Sequence, residues 1–208
     1  VRNTGYAQVV RRAARVLYDI DDISGQTIPA LSEAFNARIQ PGYYKSLLCD
    51  TAGIESCQIN SLERTFMESR QPTLLMQDIS ILNFSLQGGE WRKTAERPGL
   101  ELHDLADYHR VIDWWFDTYG PYAAAAKSQV AYSRRLDFED VSAEEAAPLF
   151  KRLLDGDSLD EAARKKVDDH VFWYCVRKAT AFGLPVKLHT GYYAGQNGMP
   201  MHRVAANP

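Results

Sequence analysis

Cysteine is scarce in this sequence, and histidine barely commoner: three cysteines and five histidines in 208 residues. An odd cysteine count with no CxxC argues against a disulfide framework and against a structural zinc knuckle. A reducing, cytoplasmic setting is the expectation. No surplus of charge exists either. The net charge is −3, with basic residues scattered among acids, so no electrostatic footprint for nucleic acid is visible. No apolar run approaches the ~20 residues that span a bilayer, so no membrane partner is expected. Neither GxGxxG nor GxxxxGK[ST] occurs, which leaves nucleotide binding without its phosphate cradle, and HExxH and HxH are missing too. The first residue is valine and the last five are "VAANP", so both ends read as cut.

What remains is ordinary globular material, 45% hydrophobic and 25% charged. Residues 6–18 place Val9, Ala13, Val16 and Leu17 on one face of an amphipathic helix. Residues 28–39 read as a second helix. Pro41-Gly42 then opens a third, "YYKSLLCDTAG", which Gly53 closes at a position where positive φ is cheap only for glycine. The short run "IESCQIN" follows as a strand. The same order recurs: "QPTLLMQDISIL" (71–82) as strand, 103–120 as a helix ending in Gly120, and "PYAAAAKSQVAY" (121–132) as strand. Two capping boxes, Ser142 with Glu145 and Ser158 with Glu161, open two helices before "GLPVKLH" ends the cycle. Helices alternating with four near-continuously apolar strands predict a parallel α/β fold.

In parallel sheets, functional side chains gather at the carboxyl ends of strands. That singles out Asn60, Asp78, Lys127, Tyr132, Arg134 and His189. His189 is read as a metal ligand, a general base or a loop histidine. Lys127 sits in a run apolar enough to be buried, where an ammonium needs a carboxylate, an anionic substrate or conversion to a carbamate. Along an extended strand, Lys127 and Ser133 point one way and Tyr132 and Arg134 the other. All four share a surface only if the strand ends and turns between them. Asp78 is read as a partner for Lys127 or Arg134, or as a helix N-cap. His202 is read as loop; His103, His109 and His170 as surface or structural. Trp114, Trp115 and Phe116 are read as core, and "EAARKKVDD" as a solvated helical face.

"LCDTAGIESCQIN", "AAAAKSQVAYSRRL" and "LPVKLHTGYYAGQNG…ANP", in this order, resemble the amidohydrolase superfamily, in its uronate-isomerase-like and nodulin-like branch. The resemblance implies a (β/α)8 TIM-barrel fold, incomplete here. It would be a single partial domain over 1–208 with about strands two to five, the first and last strands missing. It implies a metal-dependent hydrolase-type enzyme acting on a small, carboxylate-bearing substrate by hydrolysis, isomerisation or decarboxylation. His189 would be a ligand to a divalent metal, zinc or manganese, Lys127 a catalytic residue, and Tyr132 and Arg134 substrate-binding. The parent protein, a possible homo-oligomer, would be the enzyme, and this piece inactive alone. The competing expectation is a non-catalytic α/β binding module, a truncated or degenerate barrel without metal.

Overall fold

The computed structural model describes residues 3–61, 63–87 and 90–190. The chain forms two compact units, residues 1–55 and 56–208.

The first unit is helical. Thr4 caps α1 (Gly5–Tyr18), its hydroxyl accepting from the Ala7 amide. Asp19 ends the helix with φ 55°, a left-handed conformation that aspartate tolerates better than most residues. Pro29 starts α2 (Ile28–Arg38), where its missing N–H costs nothing. Tyr18, Phe35 and Tyr43 meet edge to face, and the Tyr18 and Tyr43 hydroxyls lie 2.8 Å apart. α3 (Tyr43–Lys45) runs into a π-helical turn, Ser46–Thr51. Gly53 then closes the stretch at φ 66°, and the Ile54 amide bonds back to Leu48.

The second unit carries β1 (Cys57–Ile59), β2 (Leu75–Ser80), β3 (Ala125–Ser128) and β4 (Val186–Leu188). All pair parallel in the order β1-β2-β3-β4. Helix α4 (Leu105–Tyr119) joins β2 to β3, and α5 (Ala143–Leu154) with α6 (Glu161–Ala181) joins β3 to β4. Between β1 and β2 no helix forms among the described residues. Ser61 accepts from the Glu63 and Arg64 amides and Ser69 from that of Gln71, local bonds that hold this connection in turns.

One face of the sheet meets the helices. Ile79 and Ala126 share a core with Tyr108 and Phe116 of α4, Phe150 of α5, and Val167, Val171 and Cys175 of α6. Tyr108 stacks on Phe150 with centroids 5.1 Å apart. Trp115 and Phe116 are buried in this core, as the sequence predicts. Each such large side chain, fully buried, contributes on the order of 1.5–3 kcal/mol.

Two helix ends differ from the sequence reading. α6 starts at Asp160, which accepts from the Ala163 amide at 2.8 Å, so Ser158 is not the cap. A carboxylate at the N-cap also meets the positive end of the helix dipole, which favours Asp160 over the hydroxyl two residues earlier. Gly120 follows α4 with an ordinary φ of −51°. What it provides is room, because an added Cβ would lie 2.7 Å from the Phe182 ring. Gly120→Ala is expected to destabilise the protein by about 1–3 kcal/mol through overpacking, read as a lowered thermal midpoint.

Candidate functional site

Residues alternate between the two faces of a strand. With Ile79, Ala126 and Val186 on the helices, Asp78, Ser80, Ala125, Lys127 and Lys187 fall on the opposite, inner face. Gln58 is in register with Met76 on that same face. The Lys187 ammonium pairs with the Asp78 carboxylate and donates to Gln58 Oε1 at 2.8 Å. In a flat sheet, β4 and β1 would be three strand spacings, ~14 Å, apart. A lysine on β4 touching a glutamine on β1 therefore requires the sheet to curl, with this face concave. Ala125 on the intervening strand has no side chain long enough to obstruct the reach.

Lys127 and Lys187 are register partners on adjacent strands, and Ser80 stands opposite Lys127 on the other side. Asp78 neutralises Lys187; among the described residues no carboxylate pairs with Lys127. Burial first, then the Lys187 charge, lowers the Lys127 pKa, with Asp78 opposing. Among the described residues this inner face thus holds two ammonium groups and one carboxylate.

Its polar atoms are also under-partnered. Ser80 Oγ, Asp78 Oδ1 and both amide atoms of Asn60 are buried with no hydrogen-bond partner among the described residues. Buried polar groups are ordinarily satisfied, so these side chains are exceptions among their neighbours. Asn60 follows β1 at its carboxyl end, two residues past Gln58.

His189 stands just beyond β4, its amide bonded to the Ser128 carbonyl at 2.9 Å. Its ring meets the Tyr132 ring at 4.7 Å between centroids. Burial and then the Lys127 charge lower its pKa, which keeps the imidazole neutral at pH 7. β3 ends at Ser128 and turns through a 3-10 helix, Val130–Tyr132, which carries Tyr132 round to His189. The structure therefore brings Lys127, Tyr132 and His189 together.

Arg134 does not join them. Its side chain is 6% exposed and pairs with the buried Asp169 of α6 at 2.6 Å, with Asp137 at 3.5 Å. The guanidinium lies 4.6 Å from the centroid of the Phe138 ring, which itself stacks on Phe172. With Ser128, Ser85 and Asp168 it lines a cavity of about 10 Å³ on the helix side of the sheet. The acids at the end of "EAARKKVDD" are likewise interior rather than a solvated face: Asp168 and Asp169 are 3% and 0% exposed. His109 and His170 are structural, with Nε2 atoms 2.9 Å apart and His109 stacked on Tyr174. His202 and Gly191 lie outside the described residues.

Lys187 and Gln58 escaped the sequence reading. The signal was present, since Lys187 is two residues before His189 in an extended run and so shares its side.

The same architecture is found in a solved protein. The structure superimposes on a uronate isomerase from Thermotoga maritima with a TM-score of 0.70 over 88% of this chain. The two share a fold. Sequence identity is 13%, and the chain spans 43% of that protein's length. No family model and no curated protein sequence matches the chain. That neighbour's fold is amidohydrolase-related, the type that the sequence motifs resemble. No helix among the described residues is long and apolar enough to cross a membrane.

No metal site is complete among the described residues, and the chain spans only 43% of the structural neighbour's length. Three conventional donors are the usual minimum. No group of three or more His, Cys, Asp or Glu is so placed among the described residues. Beside His189 the nearby charges are ammonium groups, and Asp78 is committed to Lys187. Such a donor set attracts an anion.

Proposed function

We propose that this chain carries the substrate-binding inner face of an amidohydrolase-type barrel enzyme that acts on a small carboxylate-bearing compound. The observation that carries this reading is the lysine pair with a single carboxylate between them. Among the described residues one positive charge stays uncompensated on this face, with Ser80 and Asn60 buried and unpartnered beside it. An ammonium group and a hydroxyl or amide donor are what a carboxylate requires. A uronate, the substrate class in the structural neighbour's name, is a sugar bearing such a carboxylate.

Each residue then has a role that follows from its surroundings. Lys127 attracts the substrate and faces its reacting end. Lys187, fixed by Asp78 and Gln58, sets the charge of the floor. Ser80 and Asn60 supply directional hydrogen bonds. His189, neutral and held against Tyr132, is able to take up a proton from a group beside Lys127. That combination of proton acceptor and anion holder suits proton transfer next to a carboxylate, as isomerisation requires.

The test is calorimetric titration of the chain with glucuronate and with propionate. A charge-assisted hydrogen bond contributes about 1.5–3 kcal/mol, so Lys127→Met is expected to weaken both ligands by about tenfold or more. Equal affinity in the variant and the parent would remove Lys127 from the site. A metal assay on the same samples tests His189 separately: stoichiometric zinc or manganese that is lost on His189→Ala would make it a ligand, and unchanged metal content would leave it a proton acceptor.

A further inference from the structure

An open cleft of about 720 Å³ lies between the β1–β2 connection, the 3-10 turn Ile81–Phe84 after β2, a further 3-10 turn at Trp91–Ala95, and α4. That volume falls in the range of roughly 300–1,000 Å³ typical of small-molecule sites. Among the described residues, no member of the inner face lines it. Its floor is Thr65, Phe66, Thr94 and Trp115, each only 4–5% exposed. The floor is held from several directions. Asn83 Nδ2 donates to the Thr65 hydroxyl at 3.3 Å, and the Trp115 indole donates to the Thr94 carbonyl at 2.9 Å. Phe66 stacks on Tyr119 with centroids 4.6 Å apart. A wall fixed in this way spares a ligand the cost of ordering it.

The rim is charged and carries both signs. Lys93 pairs with Glu90 at 2.6 Å. Arg97, lying over the Trp115 and Tyr119 rings, pairs with Glu68 at 2.9 Å. Glu63, Glu96 and Arg64 complete the rim and form no salt bridge among the described residues. An anion entering here meets the two free carboxylates; a cation meets Arg64, Lys93 and Arg97. A hydroxyl group both donates and accepts, so it suits either sign. Carboxylate and guanidinium are planar, two-pronged groups that match adjacent hydroxyls on a ring. We propose that this cleft binds a neutral sugar, its hydroxyls bonded by Glu63, Arg64 and Glu96 and its C–H face laid against Arg97 and the floor. The site shares no residue with the inner face, so it stands or falls apart from the carboxylate reading.

The test is an NMR titration of the chain with glucose, galactose, maltose and cellobiose, followed at the indole N–H signals of its four tryptophans. The expected result is a saturable shift of the Trp115 signal with at least one of these sugars. Trp173, which does not line the cleft, should stay unmoved. Arg64→Ala and Glu96→Gln alter exposed side chains and leave the floor intact. Each is expected to weaken the sugar about fivefold or more, as the loss of a hydrogen bond to a charged group does. Glucuronate, an anion, should leave Trp115 unmoved. No saturable Trp115 shift with any of the four sugars overturns the proposal, and so does a shift whose midpoint neither variant changes. A glucuronate shift at Trp115 as large as that of the neutral sugars overturns the selection for an uncharged ligand.

Discussion

Replacing Asp169 with alanine is expected to remove about 3–5 kcal/mol of folding stability, the cost of breaking a buried ion pair from one side. Its carboxylate, 1% exposed, holds Arg134 and Lys165 at 2.6 and 2.5 Å and accepts from the Glu139 amide at 3.2 Å. Without it the Arg134 guanidinium is left buried with Asp137 at 3.5 Å as a weaker acid partner. Arg134→Met is milder, because Lys165 still neutralises Asp169. Urea unfolding of both variants checks the order. The same pair decides where Arg134 belongs. On the helix side of the sheet, its loss should lower stability and leave carboxylate affinity unchanged. A variant of normal stability with weakened binding would return Arg134 to the substrate.

The second large effect is a pH dependence centred on Asp168. Burial pushes its carboxyl up from 3.8 to about 6, against the Leu86 amide, the Arg134 charge and the Ser85 hydroxyl, which favour ionisation. A folded-state pKa above the unfolded one means the native protein holds this proton more tightly. Stability therefore falls as pH rises from about 4 to about 6, and the full cost, about 3 kcal/mol, is present at neutral pH. Asp168→Asn keeps an oxygen to accept from Ser85 and Leu86 and carries no charge. Its stability should exceed the parent's at pH 7, and the difference should shrink towards pH 4. His109 acts in the opposite sense. Burial and the neighbouring His170 lower its pKa to about 4, so the native state excludes a proton that the unfolded chain binds. Its contribution is present above about pH 6.5 and is lost as the pH falls towards 4. The raw profile of the parent mixes the two slopes; the urea midpoint of Asp168→Asn minus that of the parent, taken at each pH, isolates the first. A difference that does not vary with pH would show that the Asp168 carboxyl is not strained by burial.

The strands were legible because each is a short apolar run bounded by glycine, proline or a charged stretch, and all four fall where those runs stand. The helix α1 and the glycine stop at Gly53 were legible for the same local reason, but not the face of α1: Val9 and Val16 are exposed and Ala14 is the residue it buries. What escaped depends on partners far along the chain. Asp168 is 83 residues from Ser85, which bonds it, and Arg134 is 35 from Asp169. Nothing within a helical period distinguishes such acids from a solvated face. Tyr132 and Arg134 have the same parity in the sequence, yet the 3-10 turn after Ser128 sends one to His189 and the other under α6. Lys127 was legible as an oddity, a lysine in an alanine run. That its neighbour would be Lys187, with Asp78 serving that residue instead, needed the register of three strands.

The claim on which the functional reading depends is that the inner face binds a carboxylate through its lysines. Lysine side-chain NMR during a glucuronate titration reports on this directly. Saturable shifts confined to Lys127 and Lys187 are expected, with exposed lysines such as Lys93 unmoved. Shifts spread over the exposed lysines, with Lys127 silent, would contradict it.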